Sequence, residues 1–109
     1  MSLERVIKAL IGLGLSRVDA EVYVYLAKKG PQKIVDLAKA LNYRSKTIQG
    51  SLRNLQNKGI VKVNLADRLL FHALPFEEAL DLLIKMEKEQ AQAMHESKEE
   101  LLASWNTKD

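Results

Sequence analysis

The chain has no cysteine. That excludes a disulfide framework and thiolate chemistry, and a cytoplasmic setting is expected for a small domain that holds together without cross-links. Histidine occurs only twice, at His72 and His95, and no spacing sets either beside carboxylates as a metal ligand or a catalytic partner. His72 falls in a β-type run and reads instead as a surface residue. There is no Gly-rich phosphate-binding loop and no Ser–His–Asp arrangement, so no enzyme, no metal and no cofactor are expected. No apolar run approaches the roughly 20 residues of a membrane span. The amino-terminal MSLERVIKALIGLGLS carries charges inside its apolar pattern, unlike a signal peptide. One more absence is local: from Leu37 to Leu65 there is no Asp or Glu.

What is present suits one small domain with an appended element: 109 residues, of which 47% are apolar. The net charge of +3 hides a segregation. Residues 1–74 hold thirteen Lys or Arg against five Asp or Glu, a net of +8, while residues 75–109 hold four against nine, a net of −5. A basic body with an acidic extension is the asymmetry expected when the body binds polyanions and the extension does something else.

Apolar residues at helical spacing (Leu3, Val6, Ile7, Leu10) predict a first helix over 3–12. Ser16 caps a second helix, with Asp19 as a variant capping box, and Val22, Tyr23, Leu26 and Ala27 are expected to face inward. Gly30-Pro31 ends it. Gln32-Lys33-Ile34 reads as a short extended segment, Asp36–Leu41 as a third helix, and Asn42-Tyr43 as a turn. Tyr43 is expected to pack on the third helix or to touch phosphate through its hydroxyl. Ser45 is the expected cap of a fourth helix running to Lys58 and stopped by Gly59, with Asn42 and Arg44 as alternative starts within the usual boundary error. Ile60–Val63 and Leu69–Leu74 read as two strands joined by a polar turn. Pro75 then opens a long helix from Phe76 to about Ser104.

The fourth helix carries the most information. At 100° per residue, Ile48, Leu52 and Leu55 form one stripe. Lys46, Gly50, Arg53 and Asn57 lie opposite, flanked by Gln49 and Asn54. Arg and Lys match the acceptors of guanine, and Asn and Gln match the donor–acceptor pair of adenine. A basic polar helix, held by a preceding helix and followed by a two-stranded wing, is the layout of a DNA reader. Gly50 in a helix interior costs about 1 kcal/mol relative to Ala. It serves close approach to a groove or close packing against another element, or it is drift without meaning, since a surface glycine in a helix is tolerated often enough.

Three stretches, LGLSRVDAEVYVYL, IVDLAKALNYRSKTI and LRNLQNKGIVKV, resemble the DNA-binding domain of the TrmB-like transcriptional regulators, which stand close to the MarR-like winged helices. The resemblance covers residues 13–63 well and the wing loosely. It implies a mostly α (α+β) winged helix–turn–helix and a homodimer on double-stranded DNA. By resemblance the DNA-facing residues are Arg44, Ser45, Lys46, Thr47, Gln49, Gly50 and Arg53, with Lys62 and Arg68 added from the wing. Full-length members carry a sugar-binding domain after the DNA-binding one; sugar sensing is not carried over to this chain, and no effector is assigned.

The carboxy-terminal helix would run about 44 Å at 1.5 Å per residue, farther than a body of some 70 residues can cover. Phe76, Leu80, Leu83, Glu87, Gln90, Met94, Ser97 and Leu101 alternate at spacings of four and three, a heptad seam with a polar middle, widened by Ile84, Ala91, Leu102 and Trp105. The expectation is a DNA-binding domain over 1–74 and a dimerisation helix over 75–109, with Leu80, Leu83, Met94 and Leu101 at the contact. The alternative is a helix folded back on its own domain. Two further functional readings stand beside the regulator: an architectural DNA-binding protein of low specificity, and a winged-helix protein-interaction module.

Overall fold

Capping and periodicity set the first elements of the computed structural model, which describes residues 3–107. Helix α1 spans Leu3–Gly12. Ser16 is extended, and its Oγ accepts a hydrogen bond from the Asp19 N–H at 3.0 Å, which opens α2 (Arg17–Lys29). Helix α3 spans Ile34–Leu41, two residues earlier than its sequence pattern suggests; its N-cap, Lys33, makes no side-chain cap bond, so nothing in the sequence marks that start. Asn42 closes α3 in the left-handed region (φ 60°), a conformation Asn tolerates better than most residues.

Helix α4 spans Ser45–Asn57. Arg44, not Ser45, occupies the N-cap position, extended and without a side-chain cap bond, so Ser45 is the first helical residue. Strands β1 (Val61–Val63) and β2 (Phe71–Ala73) pair antiparallel, Val61 with Ala73, Lys62 with His72 and Val63 with Phe71. They are shorter than the β-type runs of the sequence because side chains close the loop between them. Asn64 Oδ1 accepts from the N–H groups of Ala66 and Asp67, and Asp67 Oδ1 accepts from Leu69 N–H. Gln32 adds a bridge on the other edge, exchanging both backbone hydrogen bonds with Phe71.

The core gathers on α2, which packs against α1, α3, α4 and β2. Leu10, Val22, Tyr23, Leu37, Ile48, Leu55 and Ile60 are fully buried there. Ala27 faces solvent, and Val24 takes the inward place instead. The Tyr23 hydroxyl donates to the Leu74 carbonyl at 2.5 Å, and burial pushes its phenol up to about 12.

Helix α5 spans Phe76–Glu96 and α6 spans Lys98–Asn106. The long helix of the sequence is therefore interrupted once, at Ser97 (φ −87°, ψ 0°), although the hydrogen bonds Ser97 N–H to Ala93 and Leu101 N–H to Ser97 carry the ladder across. Ala79 and Leu83 complete the core of the body, so that core does not stop at Leu74. Leu83 is 1% exposed within its own chain and cannot meet a second copy, contrary to its expected place at a dimer contact. Past Glu87 the arm leaves the body. The radius of gyration is 16.9 Å, against about 13 Å for a compact chain of this length.

Candidate nucleic-acid interface

Three residues, 42–44, turn the chain from α3 into α4. The Tyr43 N–H donates to Ala38 O at 3.1 Å, which closes the turn onto α3. Tyr43 packs against the core and its hydroxyl donates to the Glu21 carboxylate. That bond, with burial behind it, raises the phenol above its usual range. Glu21 also faces Arg17 at 3.4 Å, and Arg17 reaches Glu4 at 2.6 Å. The Arg17 hydrogen bond holds Glu4 below the ordinary carboxylate range. So α1, α2 and the turn before α4 are tied by one chain of polar contacts. The Tyr43 hydroxyl is occupied within the protein.

Helix α4 is fixed from its other side by Ile48, Leu52 and Leu55, all buried. A fourth anchor escaped the sequence reading. Ser51 is buried, and its hydroxyl donates to Asp19 Oδ1 at 2.6 Å, while Asp19 is itself 4% exposed. Asp19 thus joins α2 to α4 rather than completing a capping box. No local signal pairs two residues 32 positions apart. The helical angle of Ser51, next to the apolar stripe, was the available hint.

With one face anchored, the opposite face is free. Lys46, Gln49, Arg53, Asn54 and Asn57 are exposed, as are Arg44, Ser45 and Thr47 at the start of the helix, while Gly50 is half-buried. A Cβ added at Gly50 would meet nothing within 4 Å. Close packing inside the protein is therefore not what requires the glycine. The wing carries the other two cations apart from α4: Lys62 exposed on β1 beside His72, and Arg68 exposed in the loop. Among the described residues none of Arg44, Lys46, Arg53, Lys62 and Arg68 enters an ion pair, whereas Arg17 is paired twice. Cations without internal partners keep their charge available to an external anion. Among the same residues no cluster of His, Cys, Asp or Glu is arranged to hold a metal, and no helix is long and apolar enough to cross a membrane.

A helix–turn–helix, a two-stranded wing and an outward basic helix face define a winged-helix protein of the DNA-binding transcription-regulator class. The family described as sugar-specific transcriptional regulator TrmB matches residues 10–77. The chain belongs to that family, and its architecture is shared with MarR-like winged helices. An uncharacterized protein of Methanocaldococcus jannaschii is 36% identical over 94 residues, covering 81% of this chain and 71% of its own length. Among solved structures, TrmBL2, described as an archaeal chromatin protein with a novel mode of DNA binding, superposes with a TM-score of 0.79 at 21% identity. That match covers 96% of this chain, which spans only 41% of the other's length. A possible transcriptional regulator from Methanosarcina mazei Go1 superposes with a TM-score of 0.62 at 20% identity, over 98% of this chain and 91% of its own. Likenesses at this identity establish the fold.

Proposed function

We propose that this chain is a sequence-specific regulator that binds double-stranded DNA as a homodimer. The observation that carries the reading is the free face of α4, with Lys46, Gln49, Gly50 and Arg53 outward in a region without a single acidic residue. Two such helices enter successive major grooves of a pseudo-palindromic site, about 34 Å apart, and the wings meet the flanking backbone. Arg53 and Gln49 read base edges. Arg44, Ser45, Lys46 and Thr47, at the amino-terminal end of α4, where the helix dipole favours anions, engage phosphate and the first bases. Lys62 and Arg68 contact phosphate from the wing. The body up to Leu74, with the first turns of α5, does the reading, and the arm beyond it assembles the dimer.

Duplex affinity measured at several salt concentrations tests this. Each neutralised phosphate releases counterions, so affinity falls steeply with salt. Arg53→Ala and Gln49→Ala each relax sequence preference by about 1–3 kcal/mol at one base position. Arg68→Ala weakens all sequences alike. A chain that binds no duplex at low salt is an interaction module instead.

The likeness to an archaeal chromatin protein favours a second reading, an architectural DNA-binding protein. The ratio of specific to non-specific affinity separates the two. A regulator reaches about a thousandfold or more, and an architectural protein stays near unity.

A further inference from the structure

Among the described residues nothing covers the arm. Met94 is 64% exposed, Leu101 53% and Trp105 85%. The dent across the Ser97 interruption is walled by Ala91, Met94, His95, Lys98, Leu101 and Leu102, which places these residues on one side of the arm. Since Leu83 belongs to the body's core, the free stripe is rotated away from it. The stripe starts at the half-buried Leu80 and runs to Trp105 at alternating spacings of four and three.

Two residues in this stripe are charged, Glu87 and Lys98, and they decide how a second stripe can lie on it. In a parallel, in-register pair each seam residue meets its own copy. Glu87 would face a carboxylate and Lys98 an ammonium, both partly removed from water and repelling. In an antiparallel pair centred between Gln92 and Ala93, every position finds a complement. Glu87 meets the partner's Lys98. Ala91 meets the partner's Met94, small against large. Ile84 meets the partner's Leu101, and Leu80 meets the partner's Trp105.

We propose that the arm is an antiparallel dimerisation surface for a second copy of this chain, in the register that sets Glu87 against the partner's Lys98. The inference rests on the homodimer reading above and gives it a geometry. Pairing in this register seals the apolar length of both arms and lays each α6 beside the other copy's body, where Leu80, Ile84 and Glu87 sit. Glu87 is half-buried, with its carboxylate tucked over Gly14, where an added Cβ would come within 2.9 Å of Oε1. The long Lys98 side chain reaches that edge from the partner.

The absence of cysteine makes cross-linking clean. Ile84→Cys and Leu101→Cys are prepared separately in the full-length chain, then mixed, allowed to exchange subunits and oxidised. The proposal expects a disulfide-linked dimer in the mixture and little in either variant alone. Cross-linking of each variant with itself, without gain on mixing, is the parallel arrangement and overturns it. A dimer by sedimentation that cross-links in neither case also overturns it, while leaving the homodimer intact. A monomer by sedimentation removes the homodimer reading and this inference with it. Charge reversal gives a second readout. Glu87→Lys and Lys98→Glu each weaken self-association about tenfold, and the double variant recovers most of that loss. Additive losses without recovery overturn the register.

Discussion

The body and the arm are both amphipathic helical protein, yet their apolar residues meet opposite fates. In the body, Leu10, Leu37, Ile48 and Leu55 are fully buried. On the arm beyond Glu87, Met94, Leu101, Leu102 and Trp105 remain about half exposed or more. Periodicity cannot account for the difference, because both regions have it. What differs is the availability of a facing surface: α2 touches four neighbours, whereas α6 touches only α5 among the principal contacts. The charges divide in parallel. Among the described residues the cations of α4 and the wing enter no ion pair, and the extension is acidic. An apolar stripe with no cover and a cationic face with no counter-charge are both unfinished surfaces, one suited to protein and the other to nucleic acid.

The sharpest break in this comparison comes from placing the same charge on each region. Leu83→Asp buries a carboxylate in the core with no partner, a loss of about 3–5 kcal/mol against a total stability of about 5–15 kcal/mol. The variant should melt at a much lower temperature by circular dichroism, with most of its stability gone if the parent lies at the low end of that range. Leu101→Asp should leave the melting of the body unchanged when the chain is dilute and monomeric, and lower self-association in sedimentation. Equal melting losses from both would mean that the arm's stripe is covered by its own body.

The same contrast explains what could be read from the sequence. Where a stripe and its cover are local, the sequence was legible. The bounds of α1, the Ser16 cap of α2 and the split of α4 into a buried face (Ile48, Leu52, Leu55) and an exposed one all follow from spacing. Where the partner is distant in sequence, legibility failed. Ser51 reads as a polar residue until Asp19 is brought to it. Leu83 fits a heptad as well as it fits the core, and only tertiary packing decides. Ala27 fits the inward pattern by spacing, yet its helix turns it out. Helix starts without a side-chain cap, at Lys33 and Arg44, carry no signal of their own. The proposed DNA contacts from Arg44 to Arg53 follow from the helical face and a family pattern; what the structure adds is that their cations enter no ion pair among the described residues and that a Cβ at Gly50 meets nothing within 4 Å.

A smaller effect tests whether polar contacts follow the same division. Ser51→Ala takes a donor from a buried carboxylate and should cost about 1.5–3 kcal/mol in denaturant unfolding. Gln92→Ala removes an exposed bond to Glu96 on the arm, 3.2 Å long, and should cost less than about 0.5 kcal/mol. Comparable costs would show that the arm is ordered by more than its own helix.

Tyr23 probes the joint between the regions, since its hydroxyl holds the Leu74 carbonyl just before α5 begins. Tyr23→Phe should cost about 0.5–1.5 kcal/mol near neutrality. Its phenol is pushed up to about 12, so the folded state holds this proton more tightly than the unfolded chain, whose tyrosine titrates near 10. This contribution is complete below pH about 10 and is lost as the pH rises toward 12. Melting of the Tyr23→Phe variant over that window should therefore decline less than that of the parent. Lysine titrations, common to both proteins, cancel in the difference.

One change in stability has the opposite sign. Gly50 lies inside α4, where glycine costs conformational entropy, and nothing within 4 Å would oppose a methyl group. Gly50→Ala should therefore stabilise the fold by about 0.5–1 kcal/mol. Selection for folding alone favours alanine there; a requirement for close approach by an external groove favours glycine. Gly50→Leu takes the argument further, because the fold should accept it and specific duplex binding should be lost. Melting and binding measured on the same two variants separate the requirements. A stabilised Gly50→Leu chain that binds its site normally would place the groove contact elsewhere on α4. A destabilised Gly50→Ala chain would return the glycine to the fold.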